Sequence, residues 1–172
     1  IFLFVVYYDL SISNVRVFFL DYFLENKIFS YFFVTFCLLI VVNGSNFIDG
    51  LNGLSLGYYT IITGILLYLN LYDNFLNLNI FLFIYLIIFV YLLLFNYFNK
   101  LYLGDSGSYL IGFSIATLLI VTYNNFTNIS PFFVVLLLWY PCFENLFSII
   151  RKYKFNLSPL KADNASHAIE LS

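Results

Sequence analysis

The sequence has 172 residues, of which 63% are hydrophobic, 23% are aromatic and only 9% are charged. Soluble domains carry about 25% charged residues, so this balance excludes an ordinary soluble fold and predicts an integral membrane protein embedded in the lipid bilayer. The net charge is −2 with seven basic residues. This charge argues against nucleic-acid binding as the main function, because recognition of a phosphate backbone needs a basic face.

Long apolar runs follow one another along the chain. A membrane-spanning helix needs ~20 mostly apolar residues, and uniformly apolar runs favour helices over strands. The sequence therefore predicts an all-α fold, a single membrane domain over residues 1–172 with about five to six transmembrane helices. The chain opens inside an apolar run without a methionine, so we expect it to be truncated at its N-terminus. The candidate spans are residues 1–8, as part of a helix, 28–42, 51–71, 79–95, 107–123 and 131–150.

Three polar segments between these spans fall on one face when the crossings are counted: residues 43–50, 96–106 and 151–172. They carry five of the seven basic residues, and the loops on the other face, 72–78 and 124–130, carry none. By the positive-inside rule, the basic face is predicted to be cytoplasmic. We expect a multi-pass protein of the plasma (inner) membrane with its functional site on this face.

The first polar motif is NGSNFIDGLNGLSLG, residues 43–57. Polar groups at membrane depth are costly unless they have partners, and glycines allow close backbone approach to a ligand. Asn46 and Asp49 are candidate oxygen ligands or hydrogen-bond partners, with Asn43 and Asn52 nearby. A glycine-rich cap between two helices, with no ligand, is the structural alternative.

The second motif, LGDSGS at residues 103–108, places Asp105 between Gly104 and Ser106 at the start of a predicted helix. The helix dipole and the free N–H groups of such a start favour phosphate. The two motifs together predict a site for a metal ion and a phosphorylated substrate. In the alternative, Asp105 is only an acid that stabilises a helix start, and the basic residues from Arg151 onward only anchor the topology.

Four segments resemble the polyprenyl-phosphate N-acetylhexosamine-1-phosphate transferases. NGSNFIDG is similar to their Asn-x-x-Asn-x-x-Asp-Gly motif, and LGDSGSYLIGF to their Gly-Asp-x-Gly-Ser motif. YPCFENLFSIIRK followed by SPLKADN resembles their last helix and the loop after it. DLSIS followed by Arg16 is similar to the segment that comes after their aspartate pair.

The resemblance implies an enzyme that transfers an N-acetylhexosamine 1-phosphate from a UDP-sugar to polyprenyl (undecaprenyl) phosphate, releasing UMP, as the first step of a cell-envelope glycan. It implies that Asp105 and Asn46 hold Mg²⁺, for which Mn²⁺ is an alternative. Asp49 would contact the nucleotide-sugar or support the metal. The further substrate-binding residues that it implies are Asn43, Asn46, Asn52, Gly104, Ser106, Arg151 and His167.

Two departures from the family pattern keep other functions open. Val5 and Val6 stand where the family has an adjacent Asp-Asp pair, and His167 is the only histidine where the family has a cluster. A non-catalytic relative of the transferases is one alternative. The other is a membrane transporter or binding protein whose broken helices hold a substrate near the midplane.

Overall fold

The computed structural model describes residues 1–50, 53–73, 79–126 and 129–154. Within these ranges the chain forms helices and no strands, which confirms the all-α prediction. The helices are α1 (Phe2–Tyr7), α2 (Phe18–Leu24), α3 (Lys27–Ile48), α4 (Leu54–Asp73), α5 (Asn79–Tyr97), α6 (Gly104–Asn125), α7 (Pro131–Leu137) and α8 (Trp139–Lys154).

The number of spans is smaller than predicted. In the described part of the chain, three helices are long and apolar enough to cross a membrane, α3, α5 and α6, and a fourth span results if α7 and α8 count as one broken helix. The predicted span at residues 1–8 is a helix of six residues, about 9 Å long. The described apolar part of α4, Leu54–Leu69, is also shorter than an ordinary span.

The central helix is α3, which packs between α6 and α8. The side chain of Asn26 caps its start by accepting hydrogen bonds from the N–H groups of Ile28 and Phe29. The C-terminal end of α3 lies against the N-terminal end of α6, so the two helices are antiparallel. A Cβ atom on Gly112 of α6 would lie 2.1 Å from Ser45 Oγ, which shows how closely the two helices approach.

The predicted polar loop at residues 43–50 is wrong for most of its length, because α3 continues to Ile48. Gly44 lies inside this helix, where a Cβ atom would be 2.0 Å from the carbonyl oxygen of Pro141. Its lack of a side chain therefore allows α8 to approach α3 and does not serve a turn. The predicted loop at 96–106 is confined to residues 98–103, and the predicted tail from residue 151 begins as helix through Lys154.

The last predicted span is bent by 63° between α7 and α8. Pro141 lies just beyond this bend, and a proline cannot donate to the carbonyl four residues before it. That carbonyl belongs to Leu137, and it accepts a hydrogen bond from the Tyr58 hydroxyl of α4. The break in the helix is thus compensated by a side chain from a neighbouring helix.

Residues 9–17 lie at the opposite end of α3 from its junction with α6. Ser30, near the start of α3, bonds both the N–H and the carbonyl of Ile12, at 2.7 and 2.8 Å. Asn124, at the far end of α6, donates to the carbonyl of Ser11 at 2.8 Å. The segment beginning DLSIS therefore lies about 33 Å from the C-terminal end of α3, the length of this helix of 22 residues.

Candidate functional site

The two polar motifs meet where α3 ends and α6 begins. Ser108 Oγ donates to Asn46 Oδ1 at 3.0 Å, and Asn46 Nδ2 donates to the Tyr109 hydroxyl at 3.2 Å. Both ends of the Asn46 amide are thus held by α6. The carbonyl oxygen of Asp105 also lies 3.0 Å from Ser108 Oγ, so the single hydroxyl proton is shared between two acceptors. These contacts fix the orientation of Asn46 relative to the first turn of α6.

The acidic side chains of Asp49 and Asp105 lie near each other at the junction of α3 and α6. Asp49 is the C-terminal cap of α3 and is half-buried, whereas Asp105 lies in the first turn of α6 and is exposed. Burial, and secondly the charge of Asp105, raise the pKa of Asp49 to about 6. Two neighbouring negative charges are stabilised by a bound cation, so the pair of carboxylates is suited to one.

The backbone at the start of α6 adopts a conformation that favours the glycine present in the motif. Gly104 is the first residue of the helix and has φ of +63°, a conformation that glycine adopts without strain. Ser106 follows Asp105 on the exposed surface of the first turn, and Asn43 is exposed on α3 one turn before Asn46. These predicted residues therefore lie in the same helix ends as the two carboxylates.

Asn96 connects the first motif to the segment that leads into the second motif. Its side chain is 4% exposed. Asn96 Oδ1 accepts from the N–H of Gly53, just before α4, and Asn96 Nδ2 donates to the carbonyl of Leu101 at 2.8 Å. One buried amide thus holds Gly53 of the first motif against the segment that precedes the second motif.

Of the remaining predicted residues, one lies on α8 and two lie outside the described residues. Arg151 is exposed in the last turn of α8. Its neighbour Lys152 lies over the ring of Phe47 of α3, with 5.7 Å between Nζ and the ring centroid. Asn52 and His167 lie outside the described residues.

The donor atoms of the cluster fit Mg²⁺. The cation prefers oxygen ligands and is usually bound by one or two carboxylates together with substrate phosphates. Asp49 and Asp105 offer two carboxylates, and Asn46 offers an amide oxygen. Among the described residues no group of three or more His, Cys, Asp or Glu side chains is placed to hold a metal ion. The cluster therefore matches a metal shared with a substrate better than a closed protein cage.

Three residues of the site were not singled out from the sequence: Ser108, Tyr109 and Asn96. Ser108 lies one helical turn after Asp105, so the motif itself contained the signal for it. The contacts of Tyr109 and Asn96 cross 63 and 43 residues of sequence. No local pattern indicates such contacts, and they become visible only when the helices are packed.

The chain belongs to glycosyl transferase family 4, because the model of this family matches residues 1–123. The match includes both polar motifs. Among individual proteins, the chain is similar to one of Bacillus subtilis (strain 168) that bears the name "Probable undecaprenyl-phosphate N-acetylglucosaminyl 1-phosphate transferase". The identity is 30% over 129 residues, 74% of this chain, and the chain spans only 36% of the length of that relative. No solved structure gives a significant match.

Proposed function

We propose that the chain carries the active site of a transferase that moves an N-acetylhexosamine 1-phosphate from a UDP-sugar to polyprenyl phosphate. The observation that supports this proposal is the junction of α3 and α6, where Asp49, Asp105 and Asn46 come together at the end of the spanning helices. A site at this depth serves a soluble substrate from one side and a lipid-anchored substrate from the other. The family and the name of the relative agree with the proposal.

The proposed reaction is a phosphoryl transfer. An oxygen of polyprenyl phosphate attacks the phosphorus that bears the sugar, and a bond forms between them. The bond from this phosphorus to the bridging oxygen breaks, and UMP leaves with the electron pair. Catalysis of such a transfer consists mostly of positioning and charge stabilisation. The lipid product would begin a cell-envelope glycan.

In this proposal Asp105 and Asn46 hold Mg²⁺, with Mn²⁺ as the alternative. The bound cation supplies positive charge that offsets the charge of the phosphates. Asp49 supports the metal or contacts the nucleotide-sugar. Ser108 and Tyr109 orient the amide of Asn46. The backbone N–H groups of the first turn of α6, around Gly104 and Ser106, favour the binding of a phosphate oxygen.

We further propose that this end of the bundle faces the cytoplasm in the plasma membrane, because Lys100, Arg151, Lys152 and Lys154 lie in the segments at or near it. The UDP-sugar would then be supplied from the cytoplasm. The position of the cluster at the ends of α3 and α6 also favours a transferase over a transporter, whose site lies near the midplane of the membrane.

The non-catalytic alternative is supported by a separate observation. Val5 and Val6, which stand where the family resemblance implies an acidic pair, belong to α1, and Val5 is fully buried. The segment that follows them lies at the other end of α3 from the junction with α6. A relative that binds the substrates without transfer is therefore the second candidate function.

The test is an assay of purified chain in lipid nanodiscs with polyprenyl phosphate, UDP-N-acetylglucosamine and Mg²⁺, in which lipid-linked sugar and UMP are measured. We expect lipid-linked sugar and UMP to form in equal amounts. In Asp105→Asn we expect the rate of transfer to fall at least about a hundred-fold, the size expected when a charged catalytic group is removed. Asp9→Asn, at the far end of the bundle, is the control and should keep full activity. Saturable binding without transfer would support the non-catalytic relative, and equal activity of Asp105→Asn and wild type would contradict the transferase site.

A further inference from the structure

One face of α8 is turned toward α3. The residues of this face are spaced four, three and four apart, which places them in one row on a helix: Pro141, Asn145, Ser148 and Lys152. Asn145 Nδ2 donates to the carbonyl of Ile40 at 3.4 Å, and the Lys152 ammonium lies over the ring of Phe47. Pro141 lies against Gly44, so the row as a whole lies against the part of α3 between Ile40 and Phe47.

The opposite face of α8 is apolar and exposed. Its aromatic rings are stacked along the helix, with centroids 5.5 Å apart between Trp139 and Phe143 and 6.2 Å apart between Phe143 and Phe147. Leu146 and Ile150 are exposed beside them. In a bilayer such a face is directed toward lipid, so the polar row is enclosed between α8 and α3.

Ser148 lies in this enclosed row without a hydrogen-bond partner. Its side chain is 3% exposed, and in the part of the chain that the structure describes its Oγ has no partner. A buried hydroxyl without a partner is unfavourable, so a ligand that accepts its hydrogen bond stabilises it. Lys152 is half-buried one turn further along the same face. An available hydroxyl followed by an ammonium group is the donor set for an anion.

We propose that Ser148 and Lys152 form a phosphate-binding edge of the site, on the α8 side of α3. This proposal rests on the proposed transferase function and deepens it. Phe47, which Lys152 covers, is the neighbour of Asn46 in the chain and lies one turn from the exposed Asn43. A phosphate held by Lys152 beside Phe47 would therefore lie next to the part of α3 that carries Asn46.

The ligand of this edge is a phosphate group, which either the lipid acceptor or the sugar nucleotide can supply. Its recognition differs from that at the start of α6, because it uses a side-chain hydroxyl and a cation where the helix start uses backbone N–H groups. Each of the two phosphate sources can be offered separately to the protein.

The comparison of two lysines tests the edge. Lys152→Ala and Lys154→Ala each remove one positive charge from the last turn of α8, but Lys154 is exposed and does not belong to the row. Equilibrium binding of polyprenyl phosphate and of UDP-N-acetylglucosamine is measured separately with the whole chain in nanodiscs. We expect Lys152→Ala to raise the Kd of one of them about ten-fold, the loss of one charge-assisted hydrogen bond. Lys154→Ala should change neither Kd more than about two-fold.

The ligand whose Kd changes identifies the source of the phosphate. A change for polyprenyl phosphate assigns the edge to the acceptor, and a change for the sugar nucleotide assigns it to the donor. Lys152→Arg should restore most of the affinity, and Ser148→Ala should weaken binding of the same ligand without destabilising the ligand-free protein. These results support the proposal because a role in topology or packing alone does not produce them.

Equal effects of Lys152→Ala and Lys154→Ala on both ligands would overturn the phosphate-binding edge. If wild type transfers sugar phosphate or binds both ligands in that case, the proposed function stands without the edge. A wild-type chain that binds neither ligand saturably would contradict the proposed function, and the edge with it.

Discussion

The two ends of α3 hold acidic side chains in opposite surroundings. At the start of the helix, the Tyr31 hydroxyl donates to Asp9 Oδ1 at 2.6 Å and Lys27 Nζ donates to Asp9 Oδ2 at 2.9 Å. These hydrogen bonds, that of Tyr31 first, lower the pKa of Asp9 below its usual value. At the end of the helix, burial and the charge of Asp105 raise the pKa of Asp49 to about 6.

The difference supports a structural role for Asp9 and the proposed functional role for Asp49. The charge of Asp9 is balanced within the protein, so it needs nothing further. Asp49 has a second carboxylate as its charged neighbour, which is unfavourable unless a ligand contributes positive charge. Perturbed carboxylates of this kind are concentrated at functional sites. The contrast supports placing the site at the α3–α6 junction, although both ends of α3 carry acidic residues and motifs that resemble the family.

The largest expected effect comes from breaking the close packing beside the junction. Gly44→Ala places a Cβ atom 2.0 Å from the carbonyl oxygen of Pro141, so α8 must move away from α3. We expect the free energy of unfolding to fall by roughly 3 kcal/mol, as for overpacked cores. Unfolding by SDS in mixed micelles measures it.

Gly64→Ala is the matched control for this variant, because a Cβ atom at Gly64 of α4 meets nothing within 4 Å. It should be neutral or stabilise the protein by up to about 1 kcal/mol through helix propensity. Similar losses in the two variants would show that the approach of α8 to Gly44 does not determine the stability of this end.

At the junction of α3 and α6, some features of the fold could be predicted from the sequence and others could not. The helical class was predictable from the apolar runs, and a helix start near Asp105 from the local motif, although the predicted loop extended to residue 106 and α6 begins at Gly104. The helical state of residues 43–48 was not, because glycine and asparagine are poor helix formers and tertiary packing overrides their propensity. Gly44 and Ser45 are explained only by the helices that they contact, Pro141 of α8 and Gly112 of α6.

The position of the segment beginning DLSIS could not be predicted from its motif. Its neighbours are Ser30 and Asn124, which are distant in sequence and are brought to it by the antiparallel packing of α3 and α6. Pro141, in contrast, carried a signal that was missed. A proline inside an apolar run predicts a break, and the bend of 63° occurs just before it.

A second, smaller effect comes from removing one tyrosine hydroxyl at each end of α3. Tyr109→Phe removes the acceptor of the Asn46 amide, so the amide can rotate away from the geometry that Ser108 alone then holds. We expect the transfer rate to fall about ten-fold, since misoriented catalytic groups lose rate steeply. Steady-state assays in nanodiscs measure this rate.

Tyr31→Phe is the partner variant at the opposite end. It removes the donor to Asp9 and should leave the transfer rate unchanged, with a loss of stability of at most about 1 kcal/mol. If the two variants lower the rate equally, the distinction between the structural and the functional end is not supported.

The smallest effect is the pH dependence of stability in metal-free protein. Because the pKa of Asp49 is raised from 3.8 to about 6 on folding, the folded protein binds a proton that the unfolded protein does not bind at pH 5. The resulting stabilisation is fully present below pH 3.8 and is lost as the pH rises through 6. After allowance for the partial exposure of Asp49, we expect a gain of about 1 kcal/mol between pH 7 and pH 4.

The two ends respond to pH in separate ranges. The lowered pKa of Asp9 means that its contribution is complete above pH 3.8 and is lost only at lower pH, so it does not contribute between pH 7 and pH 4. The gain in that range should disappear in Asp49→Asn and remain in Asp9→Asn. Because Mg²⁺ favours the ionised carboxylate, excess Mg²⁺ should also reduce the gain. A gain that is identical in wild type and Asp49→Asn would remove Asp49 as its source and with it the evidence for unbalanced charge at the junction.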